Sequence, residues 1–331
     1  MSSVVGSATT ARLTSSVVSM PRVSSVHLMV LGTVVLWALN VTVTRYVLTH
    51  GFEPLAYATV RYGIAALIFL GMALVTERSL RVLRSDIPLV AAAAIVLWVN
   101  QLAFVYALDT ATASVVALLL GATPIFAGLL VLALRLDRVG SRFWLGAAVS
   151  FLGVALVGIG GRGELHGGAT GVLLGIATAA TWAGYSVAIA PLMRRYSPTR
   201  ISALVLGAGW IGISLTGARQ TATQDLSLGW NVWALVGFAT LGPLVLTNVL
   251  WFRALHRIGV ARATLAANLN PFLAAFIALL LLSEPVTALQ VAGGVLIAAG
   301  IVVARRPARK EAARARGAIS SPAEARSASG R

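Results

Sequence analysis

Arg61 is the residue in this chain best placed to do chemistry. It lies seven residues into an apolar stretch that opens at Pro54, about 10 Å from a helix end at 1.5 Å rise per residue. A cation at that depth is costly; it pairs with an anion or lines an aqueous path. No Asp or Glu falls inside any of the ten apolar segments between residues 27 and 304, so the missing counterion could be the carboxylate of a solute. The alternatives are a guanidinium that snorkels to Glu53, Asp109, Glu164, Asp225 or Glu284 near the segment ends, or one that caps helix carbonyls. Arg45, nearer a boundary, reads more readily as an anchor. Aromatic rings and amides recur at helical spacing in the same segments. Trp37 with Asn40, Trp182 with Tyr185, and Asn248 with Trp251 are each three residues apart, which puts each pair on one helical face; Gln101 and Asn268 add two further amides. An amide in hydrocarbon costs several kcal/mol unless paired. These groups therefore face neighbouring helices or a wet cavity, and as a set they favour a cavity suited to a zwitterion or weak anion.

The elements that must position them are membrane helices. Hydrophobic residues make up 58% of the chain and charged ones 11%, against about 25% charged in soluble domains. A spanning helix needs about 20 mainly apolar residues. Punctuation by Gly, Pro and Arg divides the chain near 27–47, 54–75, 87–107, 111–133, 142–160, 169–192, 199–217, 231–252, 260–282 and 286–304. The connections alternate in charge. Arg78, Arg81, Arg84; Arg135, Arg138, Arg142; Arg194, Arg195, Arg200; and Arg253, Arg257, Arg262 form four clusters, while the intervening connections carry only Arg45, Arg162 and Arg219. By the positive-inside rule the clusters are cytoplasmic, so both termini face inward and the number of spans is even. The formal charge of +16 is then a matter of topology, and nucleic acid is not an expected partner. There are no cysteines, which excludes thiolate metal sites and disulfides; no cofactor is implied.

A constant shift of 147 positions lays Tyr106-Ala107-Leu108 on Arg253-Ala254-Leu255, Pro124 on Pro271, Gly146 on Gly293 and Gly153 on Gly300. The chain is a duplication. With an odd number of spans in each copy, the second copy sits upside down relative to the first. The predicted fold is an all-α integral membrane protein of ten transmembrane helices in two inverted five-helix repeats. Residues 1–26 read as a disordered cytoplasmic leader, 27–160 as the first repeat, 169–304 as the second, and 305–331 as a basic cytoplasmic tail. That tail could lie on anionic lipid headgroups, worth about 1 kcal/mol per charge near the surface. Pro124 and Pro271 fall mid-span, where kinks are expected, with freed carbonyls at Leu120 and Ala267 and a gating role in view. The glycines, Gly171 and Gly175 among them, read as close helix contacts.

These features together resemble the drug/metabolite transporter superfamily, in its ten-helix branch built from two EamA domains, over about residues 29–304. Trp37, Asn40 and Arg45 match its first-span pattern, and Pro54 with Arg61 its second. Ala113, Ser114, Leu118, Leu119, Pro124, Asp137 and Arg138 match the fourth-span pattern, which Pro271, Glu284 and Pro285 repeat in the ninth. Asp137 stands where Glu is common and Arg45 where Lys is common; both keep the charge. The resemblance implies a bacterial inner-membrane exporter or permease for small metabolites, with amino acids a frequent class. A solute would be held near the midplane between the repeats, by Trp37, Asn40, Trp182, Tyr185, Asn248 and Asn268, while the half-bundles rock in alternating access. The expected partners are that solute and membrane lipids, with a second copy of the chain a further candidate.

Two other readings share the composition. A passive channel or lipid scramblase would have the same wet interior without saturable transport. A membrane enzyme on a lipid-linked substrate would need groups that are missing. His27, His50, His166 and His256 lie scattered at segment ends or loops, not at metal-ligand spacing, and no embedded carboxylate pair is present for acid–base work.

Overall fold

A computed structural model describes residues 25–135, 140–160, 168–258, 269–284 and 286–305. Nearly all of the predicted leader, the tail beyond Arg305, Asn268, Ala267 and Asp137 lie outside the described residues. Among those residues every regular element is helical. They are α1 (Ser25–Thr49), α2 (Pro54–Glu77), α3 (Ile87–Thr110) behind a short 3-10 turn, α4 (Ala113–Leu120), α5 (Thr123–Ala133), α6 (Ser141–Gly160), α7 (Gly168–Met193) and α8 (Pro198–Thr223). Then come α9 (Trp230–Thr240), a π-helical segment (Leu241–Leu246), α10 (Thr247–Ile258), α11 (Asn270–Leu282) and α12 (Ala288–Arg305).

Proline marks many of the starts. Pro54, Pro88, Pro124, Pro198 and Pro271 each sit in a first helical turn, where a missing N–H costs nothing and the fixed φ suits a helix. Thr112 and Ser197 cap α4 and α8 by accepting from the N–H groups of Val115 and Arg200. Helices satisfy their own backbone, which hydrocarbon requires. Large apolar side chains such as Leu67, Val75 and Leu280 turn outward, as they do where lipid is the solvent.

Among the described residues eight helical stretches are long and apolar enough to cross a membrane, and Asn270–Leu282 and Ala288–Ala304 are shorter apolar helices. Two predicted spans differ in form. The fourth is interrupted ahead of Pro124: α4 ends at Leu120, Gly121 and Ala122 form a tighter turn with helical backbone angles, and α5 follows with Pro124 in its first turn. The eighth carries the π segment, with Pro243 inside it.

The packing pairs elements of the first half with elements of the second: α6 with α12, α2 with α8, α3 with α7, α1 with α10 and α11, and α4 with α11. The α6–α12 seam is the closest. A Cβ on Gly153 would lie 2.5 Å from the Gly293 carbonyl oxygen, one on Gly293 would lie 2.6 Å from that of Gly153, and Gly146 abuts Gly300 in the same way. Ser150 Oγ donates to the Ile297 carbonyl at 3.2 Å between them. The helices therefore cross antiparallel, backbone on backbone, which only glycine permits.

Candidate functional site

The centre of interest is where α1, α2 and α9 meet. In an α-helix the Ala239 carbonyl would accept from the N–H of residue 243, but residue 243 is proline and has none. The turn widens to π geometry, with the Thr247 N–H reaching the Gly242 carbonyl, and the Ala239 oxygen is left without its usual donor. Arg61 supplies one: its Nη2 donates to Ala239 O at 2.8 Å and to Asn40 Oδ1, also at 2.8 Å. The guanidinium lies over the Tyr57 ring, 4.9 Å from the centroid, and Tyr57 in turn hydrogen-bonds Thr44. Arg61 is only 3% exposed, its Nε has no acceptor, and among the described residues no carboxylate lies within ion-pair distance of it. A buried cation held by neutral dipoles keeps its full charge available to an anion.

The aromatic and amide residues form two satellites. Trp37 Nε1 donates to Thr247 Oγ1 at 3.0 Å, and that hydroxyl donates to the Pro243 carbonyl at 2.5 Å. Trp37 and Trp251 meet with ring centroids 5.1 Å apart. On α3 the amide of Asn100 donates to the Thr178 carbonyl and to Thr181 Oγ1, both at 3.0 Å, and Gln101 donates to Asn100 at 2.9 Å. Trp182 and Tyr185 meet at a tilt of 35° with ring centroids 5.3 Å apart.

Several expectations change. Trp37 and Asn40 share a face but turn to different neighbours, α10 and α2. The Asn248 amide donates one N–H at 2.7 Å to Leu244 O of its own span. Trp182 is 38% exposed. The carbonyl freed at Leu120 is met by the Thr123 hydroxyl, which donates to it at 2.7 Å. Pro271 lies against the α4–α5 turn, 3.4 Å from where a Cβ on Gly121 would be, so the start of α11 abuts the α4–α5 junction. Asn100, Tyr57, Thr247 and Pro243 were not singled out from the sequence. A proline in mid-segment was the signal for the last, and Asn100 and Thr247 coincide under the 147-residue shift, each taking part in an interhelical hydrogen bond.

Arg45 is an anchor. Its Nη1 donates to the carbonyls of Leu108 and Asp109 at 2.6 and 2.8 Å, and its Nε is 3.9 Å from Glu284. The Glu284 carboxylate accepts from the N–H groups of Ala113 and Ser114 and from the Ser114 hydroxyl, each at 3.0 Å, so it closes the N-terminus of α4, where the helix dipole favours an anion. At the other end Glu77 pairs with Arg200 at 2.8 Å and Asp86 with Arg195 at 2.6 Å. The Tyr196 hydroxyl donates to Asp86 and accepts from Leu83 N–H. The arginine-bearing connections α2–α3 and α7–α8 thus share one end of the bundle, as the charge alternation predicts. A groove of about 460 Å³ between α3 and α8 is lined by Ala91, Ile95, Trp98, Ile211 and Leu215; it is apolar and outward-facing, on the lipid side rather than at Arg61.

Comparison with known proteins agrees with this architecture. An uncharacterized transporter of Bacillus subtilis (strain 168), YyaM, is 26% identical over 85% of this chain and 93% of its own length. A second from that organism, YdfC, is 27% identical over 76% of this chain and 82% of its own. An uncharacterized transporter of Archaeoglobus fulgidus is 27% identical over 83% of this chain and 96% of its own. A solved crystal structure with 19% identity and a TM-score of 0.57, covering 85% of this chain and 96% of its own, has a similar fold. The EamA-like transporter family matches twice, at residues 24–159 and 169–306. With both halves matched and a helical membrane bundle carrying the matched residues, the chain belongs to the EamA-like transporter family.

Proposed function

We propose that this membrane transporter moves small metabolites, amino acids or related zwitterions and weak anions, by alternating access between two inverted five-helix repeats. The observation that carries the solute class is Arg61: a cation 97% removed from solvent with no acidic partner among the described residues. A carboxylate is the complement to such a group. The aromatic pair Trp37–Trp251, whose Trp37 lies one turn of α1 from Asn40, would accept an apolar or aromatic side chain. The antiparallel α6–α12 seam and the pairing of each half with the other support the inverted-repeat arrangement. Both termini then lie on the cytoplasmic side of a bacterial inner membrane, a reading supported by the arginine-bearing connections gathered at one end. Pro124, at the α4–α5 junction, and Pro271, at the start of α11, are the points where the fourth and ninth spans flex.

The test is efflux of radiolabelled amino acids from loaded proteoliposomes by the wild type and Arg61→Ala. A fall of tenfold or more supports the reading; transport at the wild-type rate removes Arg61 from the mechanism. Saturation and counterflow in the same vesicles separate a carrier from a passive channel or scramblase.

A further inference from the structure

A guanidinium offers a carboxylate two forked edges, one through Nε and Nη2 and one through Nη1 and Nη2. Both forks use Nη2. In this structure the two Nη2 protons of Arg61 are already committed, one to Asn40 Oδ1 and one to the Ala239 carbonyl, while the buried Nε–H has no acceptor. A carboxylate can therefore take either fork only by displacing one of these two partners.

The two partners differ in how they can respond. Asn40 holds its oxygen on a side chain, which follows a shifting guanidinium by rotating about its own bonds. The Ala239 oxygen belongs to the backbone and cannot follow without moving the turn that carries it. That turn, the last of α9, runs into the π segment made necessary by Pro243, which has no N–H at residue 243 to offer. It is also wired onward: the Pro243 carbonyl accepts from Thr247, and Thr247 accepts from Trp37, whose ring packs on Trp251.

We propose that a solute carboxylate binds the Nε–Nη2 edge of Arg61 by displacing the carbonyl of Ala239, so that occupancy of the site is transmitted to the π-helical turn between α9 and α10. Arg61 is then both the ligand for the solute and the clamp on the turn, and Pro243 is a positioning residue that acts through it. Because α2 lies in the first half of the chain and α9–α10 in the second, this exchange couples the halves at the site itself. The inference rests on the carboxylate-bearing solute proposed above.

Full-length protein in detergent and in proteoliposomes tests it in separable arms. Pro243→Ala returns an N–H to the Ala239 carbonyl and so removes the competitor for Nη2. Thermal unfolding of wild type, Arg61→Ala, Pro243→Ala and the double variant should show a smaller melting shift for Arg61→Ala in the Pro243→Ala background; equal shifts in both backgrounds overturn the clamp. Against a panel of L-amino acids and short-chain carboxylates, each beside its amide, Pro243→Ala should lower the half-saturating concentration several-fold for carboxylates alone and slow counterflow. Unchanged half-saturation overturns the displacement while leaving the solute class standing, whereas a wild type that responds equally to acids and amides overturns the solute class and the inference with it. If Pro243→Ala fails to fold, hydrogen exchange on the wild type serves instead: backbone amides at 244–248 should exchange faster with a saturating carboxylate, and unchanged exchange refutes the proposal.

Discussion

At the α6–α12 crossing, positions related by the 147-residue shift meet with their roles exchanged: Gly146 against Gly300, Gly153 against Gly293, and Ser150 bonded to Ile297. Around Arg61 the duplication is broken. Pro243 stands where the first half has Val96, so only the second half has a π turn and an orphaned carbonyl for the arginine to hold. The seam repeats because its task is the same in both halves, to let two backbones approach. The Arg61 corner does not repeat, because a single charge serves a single site. Arg45 sharpens the contrast: it too is an arginine in an apolar segment, but it reaches Glu284 and two carbonyls at a bundle end and so is spoken for.

The comparison can be broken at each of these places. The largest effect is expected at the seam. Gly300→Leu drives a side chain into the Gly146 carbonyl and Ser150, and overpacking of this kind costs about 3 kcal/mol. Thermal unfolding in detergent should show a melting point well below the wild type and a reduced monodisperse peak on gel filtration; an unchanged melting point would mean the two helices are not in contact. Arg61→Ala comes next for stability, losing about 1–3 kcal/mol through the orphaned carbonyl of Ala239, with the collapse of transport described above. Glu284→Ala uncaps α4 and strands Arg45; caps of this kind are worth about 0.5–2 kcal/mol, and Glu284→Gln, which retains an acceptor, should recover part of the loss in the same melting assay. Smallest is Thr216→Val, on the outward groove. It deletes the 3.2 Å hydrogen bond from Trp98, and surface changes of this type stay within about 0.5 kcal/mol, so both melting and transport should match the wild type. A transport defect there would shift attention from the Arg61 corner to the lipid face.

Much of this was legible beforehand because it is local. Apolar run length and the proline and glycine punctuation marked the helices. Arginine alternation marked which connections lie together, and the α2–α3 and α7–α8 connections do. Arg61 and Asn40 were picked out as polar residues at costly positions, and they bond each other. Less legible is where a polar group finds its partner. Asn248 places one N–H on a carbonyl of its own span, and Thr123 donates to the Leu120 carbonyl from three residues away, so part of the polar demand is met locally. Pro243 falls opposite Val96 under the 147-residue shift, so the repeat that marks Pro124 and Pro271 does not mark it.

The amino-acid order by itself determined a helical membrane protein made of two related halves, the charge bias of its connections, and the presence of one deeply placed cation without an acid nearby in sequence. These follow from hydrophobic run length, repeat spacing and the cost of charge in hydrocarbon, all of which can be read along a single strand of residues. Only the tertiary structure decided that Arg61 holds the carbonyl left bare by Pro243, 182 positions away, that Glu284 closes α4, and that the glycines of α6 and α12 face one another. Those pairings depend on where helices cross and how far each is rotated about its axis. Crossing and rotation are set by the summed packing of many side chains, and no short stretch of sequence contains that sum.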